Sequence, residues 1–306
     1  EDKLEFYNID EEVIEKETTH IDWDVNAAEK GGYEHFMLKE MYEQPKAILD
    51  TFSPRIKGNE VVIDELGMSD DEIRAVKKIM IVACGSAYHA GVTGKYIFEG
   101  LTRIPVEVDT ASEFRYRDPI IEDGTLLIVI SQSGETADSL AAIREAHAKG
   151  GKVLGIVNVV GSSIAREADN VMYTWAGPEI AVASTKAYTT QLICMYLIGL
   201  YMGSTKGTIE KDYYDKVLGE LKLLPDKVEA LLGQEDAIAA LAKKYYSKEQ
   251  VFFIGRGLDS GVSYEGSLKL KEISYINSFA IAAGELKHGT IALMEADTLV
   301  FALATQ

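Results

Sequence analysis

Short apolar runs alternate with segments of helical periodicity along the middle of the chain. The predicted strands cover residues 76–84, 104–108, 125–130, 152–158 and 171–175. These runs are mostly apolar, which is typical of strands buried on both faces of a sheet. The main predicted helices lie between and after them, at residues 87–101, 135–149 and 184–201. This alternation predicts an α/β fold with a doubly wound, mostly parallel sheet flanked by helices.

The same pattern starts again after a polar helical stretch. The three matching pairs of segments are 80–85 with 250–257, 111–114 with 283–286, and 124–130 with 297–303. Their offset is nearly constant, at about 172 residues, which predicts a tandem duplication. The second copy reaches only its third strand, so we expect that it is incomplete in this chain.

This repeat predicts four regions along the sequence. An acidic stretch with a helix at residues 33–43 forms an arm or linker, and a first domain, a helical spacer and the N-terminal part of a second domain follow. The predicted bounds are 1–45, 46–205, 206–245 and 246–306.

Composition and charge argue against some classes of function. The net charge of −18 and the isoelectric point near 4.7 argue against nucleic acid or an anionic membrane as the main partner. The longest apolar run, 192–201, is too short for a bilayer span, and the acidic start lacks the apolar core of a signal peptide. Cys84 and Cys194 lie in apolar runs and are expected to be buried free thiols. We therefore expect a cytoplasmic protein.

The loop after the third predicted strand is a candidate anion site. Ser131, Gln132, Ser133 and Thr136 offer side-chain donors, and Gly134 allows the backbone to approach a ligand closely. The loop precedes a helix, whose free N–H groups and dipole favour an anion. The alternative is an ordinary helix cap, which needs one hydroxyl rather than three. The sequence therefore predicts a phosphate site.

Two further segments have weaker local signals. Gly85 and Ser86 follow the first strand, where plain packing and ligand contact are equally compatible with the residues. Ser112 is predicted to cap a short helix, and Ser184 or Thr185 to cap the long one. For Ser184, capping alone explains the residue, and contact with a sugar remains the second interpretation.

Charged residues in the second copy are the catalytic candidates. Glu265, Lys269 and Glu272 share one helix face by their spacing, next to the predicted Gly255–Gly257 turn. A salt-bridged surface face is the usual meaning of such spacing. His288 stands beside a glycine, and one histidine alone is weak evidence for catalysis.

Six motifs occur together in a family-specific order: ACGSAYHAG, ASEFRYRDP, SQSGETADS, VASTKAYTTQ, EGSLKLKEISYI and AAGELKHG. In this order they resemble the glucosamine-6-phosphate synthases, the isomerizing glutamine–fructose-6-phosphate aminotransferases. The isomerase half of that family contains two sugar-isomerase (SIS) domains, each a flavodoxin-like three-layer sandwich. The resemblance runs from about residue 32 to the end of the chain.

The resemblance implies a role for each motif residue. The substrate would be fructose 6-phosphate, the product glucosamine 6-phosphate, and no cofactor or metal ion would be needed. Ser131, Gln132, Ser133 and Thr136 would hold the phosphate, and the implied sugar-lining residues are Gly85, Ser86, Val182, Ala183 and Ser184. Glu272 would move a proton between C1 and C2, which suits a carboxylate tuned by burial and a neighbouring lysine, here Lys269. His288 would assist ring opening from the neighbouring subunit of a homodimer.

The sequence departs from the family pattern in one loop. Ser86 and Ala87 stand where Thr-Ser is common, so one hydroxyl contact to phosphate is lost. The glutaminase domain that supplies ammonia and the C-terminal tail are expected to lie outside this chain, and full activity is not expected of it alone. Two alternatives share the phosphate loop: a fructosamine-phosphate deglycase and a non-catalytic sugar-phosphate sensor. The sensor would not need Lys269, Glu272 and His288.

Overall fold

A computed structural model of the chain describes residues 5–15 and 29–305. Residues 1–4 and 16–28 of the predicted arm, and Gln306, lie outside the described residues. The first elements are the strands β1 (Phe6–Tyr7) and β2 (Val13–Ile14), the helices α1 (Phe36–Tyr42) and α2 (Gln44–Phe52), the strands β3 (Ile56–Lys57) and β4 (Glu60–Val61), and helix α3 (Asp70–Ala75). Helix α1 confirms the predicted helix at residues 33–43.

A five-stranded parallel sheet forms the centre of the first repeat. Its elements in chain order are β5 (Lys78–Ala83), α4 (Gly85–Thr102), β6 (Val106–Thr110), α5 (Ala111–Tyr116), β7 (Thr125–Ser131), α6 (Ala137–Ala148), β8 (Lys152–Val157), α7 (Ser163–Glu167) and β9 (Asn170–Tyr173). The strand order is β6-β5-β7-β8-β9, and every neighbouring pair is parallel. This confirms the predicted fold class, with all five strands within two residues of their predicted starts.

Helices cover both faces of this sheet because alternate strand residues point to opposite sides. Ile79 and Ile81 of β5 join one core cluster, with α4 and the long helix α8 (Lys186–Lys206). Met80 and Val82 join the other, with α5, α6 and α7. The result is a three-layer sandwich whose central strand β7 is buried along its full length.

The second repeat follows two helices, α9 (Lys211–Leu232) and α10 (Glu235–Tyr245). Its elements are β10 (Gln250–Gly255), α11 (Leu258–Ser274), β11 (Asn277–Ala282) and β12 (Leu299–Ala302). The strand order β11-β10-β12 is parallel and repeats the order β6-β5-β7 of the first sheet. The three-dimensional topology therefore confirms the tandem repeat.

Backbone conformations repeat as well. Gly85 and Gly257, at equivalent places before the repeat helices, both have positive φ, at 57° and 55°. Arg103 and Tyr275, which end those helices, are also left-handed, at 54° and 60°. Left-handed geometry is unusual for residues other than glycine, so the matching pair indicates a duplicated helix ending and not only a shared strand pattern.

Helices α4 and α11 pack against each other and join the two repeats. A Cβ atom on Gly261 would lie 2.7 Å from Thr93 Oγ1, so the two backbones approach closely there. In the repeat, His89 is the equivalent of Gly261, and Glu265 is the equivalent of Thr93. These two residues also contact each other. The contact between the two repeats is therefore nearly symmetric.

The structure bears on two further predictions, the cap of the short helix and the lack of a membrane span. Ser112 does not cap the short helix, since α5 begins at Ala111 with Thr110 as its N-cap residue, and no side chain makes the capping bond. The N-cap residue, Thr110, lies two residues earlier than predicted. Across residues 5–15 and 29–305, no helix is both long and apolar enough to cross a membrane.

Candidate active site

A pocket of about 230 Å³ opens at the carboxyl edge of the first sheet and is bordered by the second repeat. Its lining residues are Cys84, Ser86, Ala87, Ile130, Ser131, Gln132, Ser133, Thr136, Val182, Ser184, Gln191 and Glu272. Parallel strands bring their carboxyl ends to one edge, which explains why residues so distant in sequence meet here. Eight of the lining residues are among those predicted from the sequence.

The segment from the end of β7 to the start of α6, residues 131–136, supplies three of the pocket's five hydroxyl side chains. Ser131 Oγ accepts the N–H of Gly134 at 3.0 Å and lies 3.1 Å from Thr136 Oγ1. Ser133 Oγ accepts the N–H of Glu135 at 3.2 Å. Thr136 is the N-cap residue of α6, yet its side chain makes no capping bond. The hydroxyls organise the loop, and the helix start keeps donors for an anion.

Gly134 is required at its position for two independent reasons. Its φ is +66°, a left-handed conformation in which other residues are strained. A Cβ atom there would also lie 2.0 Å from Ser162 Oγ. The loop therefore depends on this glycine, and its role is backbone conformation and close packing.

The start of α4 forms the second wall and carries charged partners from α11. Ser86 Oγ donates to Glu265 Oε1 at 2.7 Å and accepts from Lys269 Nζ at 3.0 Å. His89 Nδ1 lies 2.9 Å from Glu265 Oε2. The face shared by Glu265, Lys269 and Glu272 is confirmed, and its described contacts are with α4 instead of the predicted glycine turn at residues 255–257.

Glu272 is the carboxylate that the second repeat contributes to the pocket lining. It lines the pocket, and Lys269 Nζ donates to its Oε2 atom. Lys269 also lies 3.3 Å from Glu265 Oε1, so one ammonium group links two carboxylates and Ser86. A carboxylate whose side chain remains 33% exposed beside a lysine can reach a bound ligand and exchange a proton with it.

A loop before α8 forms the rim of the pocket. Thr185 is the N-cap residue of α8 but makes no side-chain cap. Glu179 caps the helix instead, because its Oε1 accepts the N–H groups of Thr185 and Ala187 at 2.8 and 3.1 Å. Ser184 Oγ donates to Glu179 Oε2 at 3.0 Å. Of the two predicted positions, Thr185 is therefore the N-cap residue and Ser184 is not, and neither hydroxyl makes the capping bond. Burial raises the pKa of the Glu179 carboxyl above its ordinary value.

The arm helix α1 supports the same loop. Glu40, which is buried, accepts the N–H groups of Ile180 and Ala181 through Oε1, at 2.6 and 3.0 Å. Lys186 of α8 is also buried and donates to Glu43 at 2.6 Å. Val182 is 99% exposed at the rim. The segment before the first repeat therefore helps to hold the rim of the pocket.

Four predicted site residues do not line the pocket. Gly85 is exposed at the start of α4, Ala183 is buried beneath the rim, and Lys269 lies behind Ser86. His288 is exposed in a turn between β11 and β12, where its N–H donates to the carbonyl of Glu285. Within one chain the structure does not bring His288 to the other site residues.

Sequence reasoning missed several residues of the site. Cys84 is half-buried at the pocket wall, and burial raises the pKa of its thiol. Gln191 is buried in the second turn of α8. Its only sequence signal is a polar side chain within an apolar helix. No sequence pattern marked Glu179 or Glu40 as a site residue, because tertiary structure determines which backbone groups they bind.

Comparison with known proteins agrees with this architecture. The model of the SIS domain family matches residues 72–200 and 244–306. The glutamine–fructose-6-phosphate aminotransferases (isomerizing) of Clostridium acetobutylicum and Caldanaerobacter subterraneus are each 58% identical, over 99% and 100% of this chain. The chain spans about half the length of these curated relatives, 50% of each.

A solved structure is similar across most of the chain. It is the C-terminal domain of glucosamine-fructose-6-phosphate aminotransferase from Francisella tularensis, with a TM-score of 0.85 and 41% identity. The similarity covers 90% of this chain and 77% of that domain.

Proposed function

The chain belongs to the SIS family and matches the C-terminal isomerase half of the glutamine–fructose-6-phosphate aminotransferases, and from this membership we propose that it converts fructose 6-phosphate to glucosamine 6-phosphate. The observation that carries the proposal is a single pocket with anion-binding groups from one repeat and a lysine-paired carboxylate, Glu272, from the other. Ammonia would come from a glutaminase domain as partner.

The phosphate group binds at the loop of residues 131–136. Ser131, Gln132, Ser133 and Thr136 line the pocket there, at the N-terminus of α6. Ser86 stands at the first turn of α4, a second helix start on the same sheet edge. Two helix N-termini favour a dianion through their free N–H groups, even in a protein of net charge −18.

The proton chemistry takes place at the opposite wall. Moving a hydrogen between C1 and C2 of an open-chain sugar needs one base that reaches both carbons. Glu272 fills this role, and Lys269 keeps its carboxylate oriented while also contacting Ser86. The sugar lies between Gly85, the first residue of α4, and the loop before α8, which contains Val182, Ala183 and Ser184. The reaction as proposed uses no metal ion or cofactor.

The same proposal covers organisation and location. Residues 1–45 act as an arm, 46–205 as the sugar-phosphate domain, 206–245 as a spacer and 246–306 as the N-terminal part of the second domain. The exposed position of His288 supports a role in a second subunit's pocket rather than in its own. A cytoplasmic homodimer is the assembly that fits these roles.

The direct test uses the intact protein, including its glutaminase partner, with fructose 6-phosphate and glutamine. We expect glucosamine 6-phosphate as product, and a loss of roughly 10²–10⁴-fold in rate for Glu272→Gln, the range for removing a general base. Glu295→Gln is the matched control, because Glu295 is an exposed glutamate of the same repeat outside the pocket. Wild-type rates in both variants would contradict the proposed mechanism.

Mixed dimers test the subunit that donates His288. Glu272→Gln and His288→Ala each inactivate a homodimer in this proposal. If the histidine comes from the neighbour, a dimer of one subunit of each variant holds one intact site, and activity returns on mixing. If each subunit uses its own histidine, the mixed dimer has no intact site and stays inactive.

A further inference from the structure

Gln191 is a buried residue of the pocket whose side-chain oxygen has no hydrogen-bond partner among the described residues. It is 2% exposed, and its Oε1 atom accepts no hydrogen bond within the described part of the chain. A buried polar group without a partner is destabilising, because it has lost its hydrogen bonds to water. Native proteins keep few such groups, and those next to a cavity are commonly satisfied by water or a ligand.

Gln191 differs from the other buried side chains with an unpartnered oxygen in its position at the pocket. The other buried side-chain oxygens without a partner in residues 5–15 and 29–305 belong to Glu40, Thr125, Ser139, Ser162 and Thr185. None of these five residues lines the pocket, whereas Gln191 does. Its neighbour Thr190, by contrast, donates to the carbonyl of Ala187 at 3.0 Å. The unsatisfied group therefore lies where a bound molecule can reach it.

The chemistry of the amide indicates which part of a sugar phosphate it meets. The enclosed Oε1 atom is an acceptor and needs a donor. A phosphate dianion has only acceptor oxygens, and hydroxyl groups of Ser131, Ser133 and Thr136 already face its site. A sugar hydroxyl both donates and accepts, so it can pair with either end of the amide.

We propose that Gln191 is a further substrate-binding residue, which hydrogen-bonds a hydroxyl group of the sugar and not its phosphate. The proposal rests on the proposed function, since it takes a phosphorylated sugar as the ligand. It also explains why an apolar helix carries an amide at this position. A hydroxyl group of a bound sugar satisfies the Gln191 amide, which favours ligands with a hydroxyl at that point.

The test compares two ligands on wild type and Gln191→Met, whose side chain has similar length but no amide. Calorimetry gives the dissociation constant of fructose 6-phosphate, and competition gives that of inorganic phosphate. We expect about tenfold weaker binding of fructose 6-phosphate, the effect of one hydrogen bond, and phosphate binding within twofold of wild type. The melting temperature without ligand is expected to stay the same or rise, because an unsatisfied buried group has been removed.

Thr125→Val is the matched control. Thr125 Oγ1 is equally buried and unpartnered, but it lies at the far end of β7 from the pocket. This variant is expected to bind both ligands like wild type. If Gln191→Met binds fructose 6-phosphate normally, or loses both ligands equally, the inference is wrong. If wild type itself does not bind fructose 6-phosphate, the proposed function fails and the inference fails with it.

Discussion

The two repeats have the same topology but differ in what they place at the sheet edge. In the first repeat, β5 and β7 are almost entirely buried, and the loop after β7 offers hydroxyls to a pocket. In the second, β12 is partly exposed and its Phe301 stacks on Phe253 at 5.0 Å. The second helix carries the charges instead, at Glu265, Lys269 and Glu272.

One pair of equivalent positions differs in charge between the two repeats. Ala87, in the first turn of α4, lines the pocket. Its counterpart in α11 is Asp259, which is 7% exposed and accepts the N–H of Thr305 at 3.0 Å through Oδ2. Thr305 Oγ1 also donates to Asp259 Oδ1 at 2.5 Å. A carboxylate at this position disfavours an anion beside it, so under the proposed function the phosphate binds to the first repeat.

Introducing the aspartate of the second repeat into the first repeat should produce the largest effect. Ala87→Asp places a carboxylate at the phosphate site, where like charges cost several kcal/mol, so we expect binding of fructose 6-phosphate to weaken more than 100-fold. Ala87→Asn has nearly the same shape without the charge, and its loss is expected to be much smaller. Titration calorimetry measures both. Equal losses for the two variants would mean that size and not charge separates the repeats.

The phosphate loop gives the next effect. Gly134→Ala forces a left-handed alanine against Ser162, and we expect it to lower the free energy of unfolding by about 1–3 kcal/mol and to weaken phosphate binding. Gly100→Ala is its control, since Gly100 lies in α4 with open space around it and ordinary helical φ. That change is expected to stabilise by about 0.5–1 kcal/mol. Urea unfolding distinguishes the two, and similar values would show that the loop is not constrained.

The smallest effect concerns pH. Burial raises the pKa of Glu179 in the folded state, so its contribution to stability is full below the unfolded pKa, about 4.3, and is lost as pH rises through the folded value. Glu179→Gln keeps an acceptor for the N–H groups of Thr185 and Ala187 but does not titrate. We expect the stability of this variant relative to wild type to increase between pH 4 and pH 7. Urea unfolding across that range measures it, and a constant or falling difference would refute the burial explanation.

Much of the fold was accessible from the sequence because buried parallel strands leave continuous apolar runs. The runs around β5 and β7, and the repeated glycine turns at Gly85 and Gly257, were sufficient to predict the sheet and its duplication. The loop at residues 131–136 was also predictable, since its hydroxyls and glycine lie between a strand and a helix. These features are local in sequence.

The contacts between distant elements were not predictable. Periodicity placed Glu265 and Lys269 on one helix face but did not reveal that Ser86 lies against it. The cap of α8 comes from Glu179 in a preceding loop, and no local rule selects that residue over Ser184. The roles of His288 and of the subunit contact stay predictions. Side chains that meet only through tertiary packing leave no pattern in the sequence.

Under the proposed function, phosphate binding belongs to the first repeat and proton transfer to the second. The dependence of the isomerization rate on fructose 6-phosphate concentration tests this assignment. The double variant Ser133→Ala and Thr136→Ala is expected to weaken substrate binding by roughly 1–3 kcal/mol for each lost charge-assisted bond, and so to raise KM, while keeping kcat within a few-fold. Glu272→Gln is expected to lower kcat by roughly 10²–10⁴-fold while its binding of fructose 6-phosphate, measured separately, stays near wild type. An unchanged KM in the first variant, or substantial kcat in the second, would contradict the account.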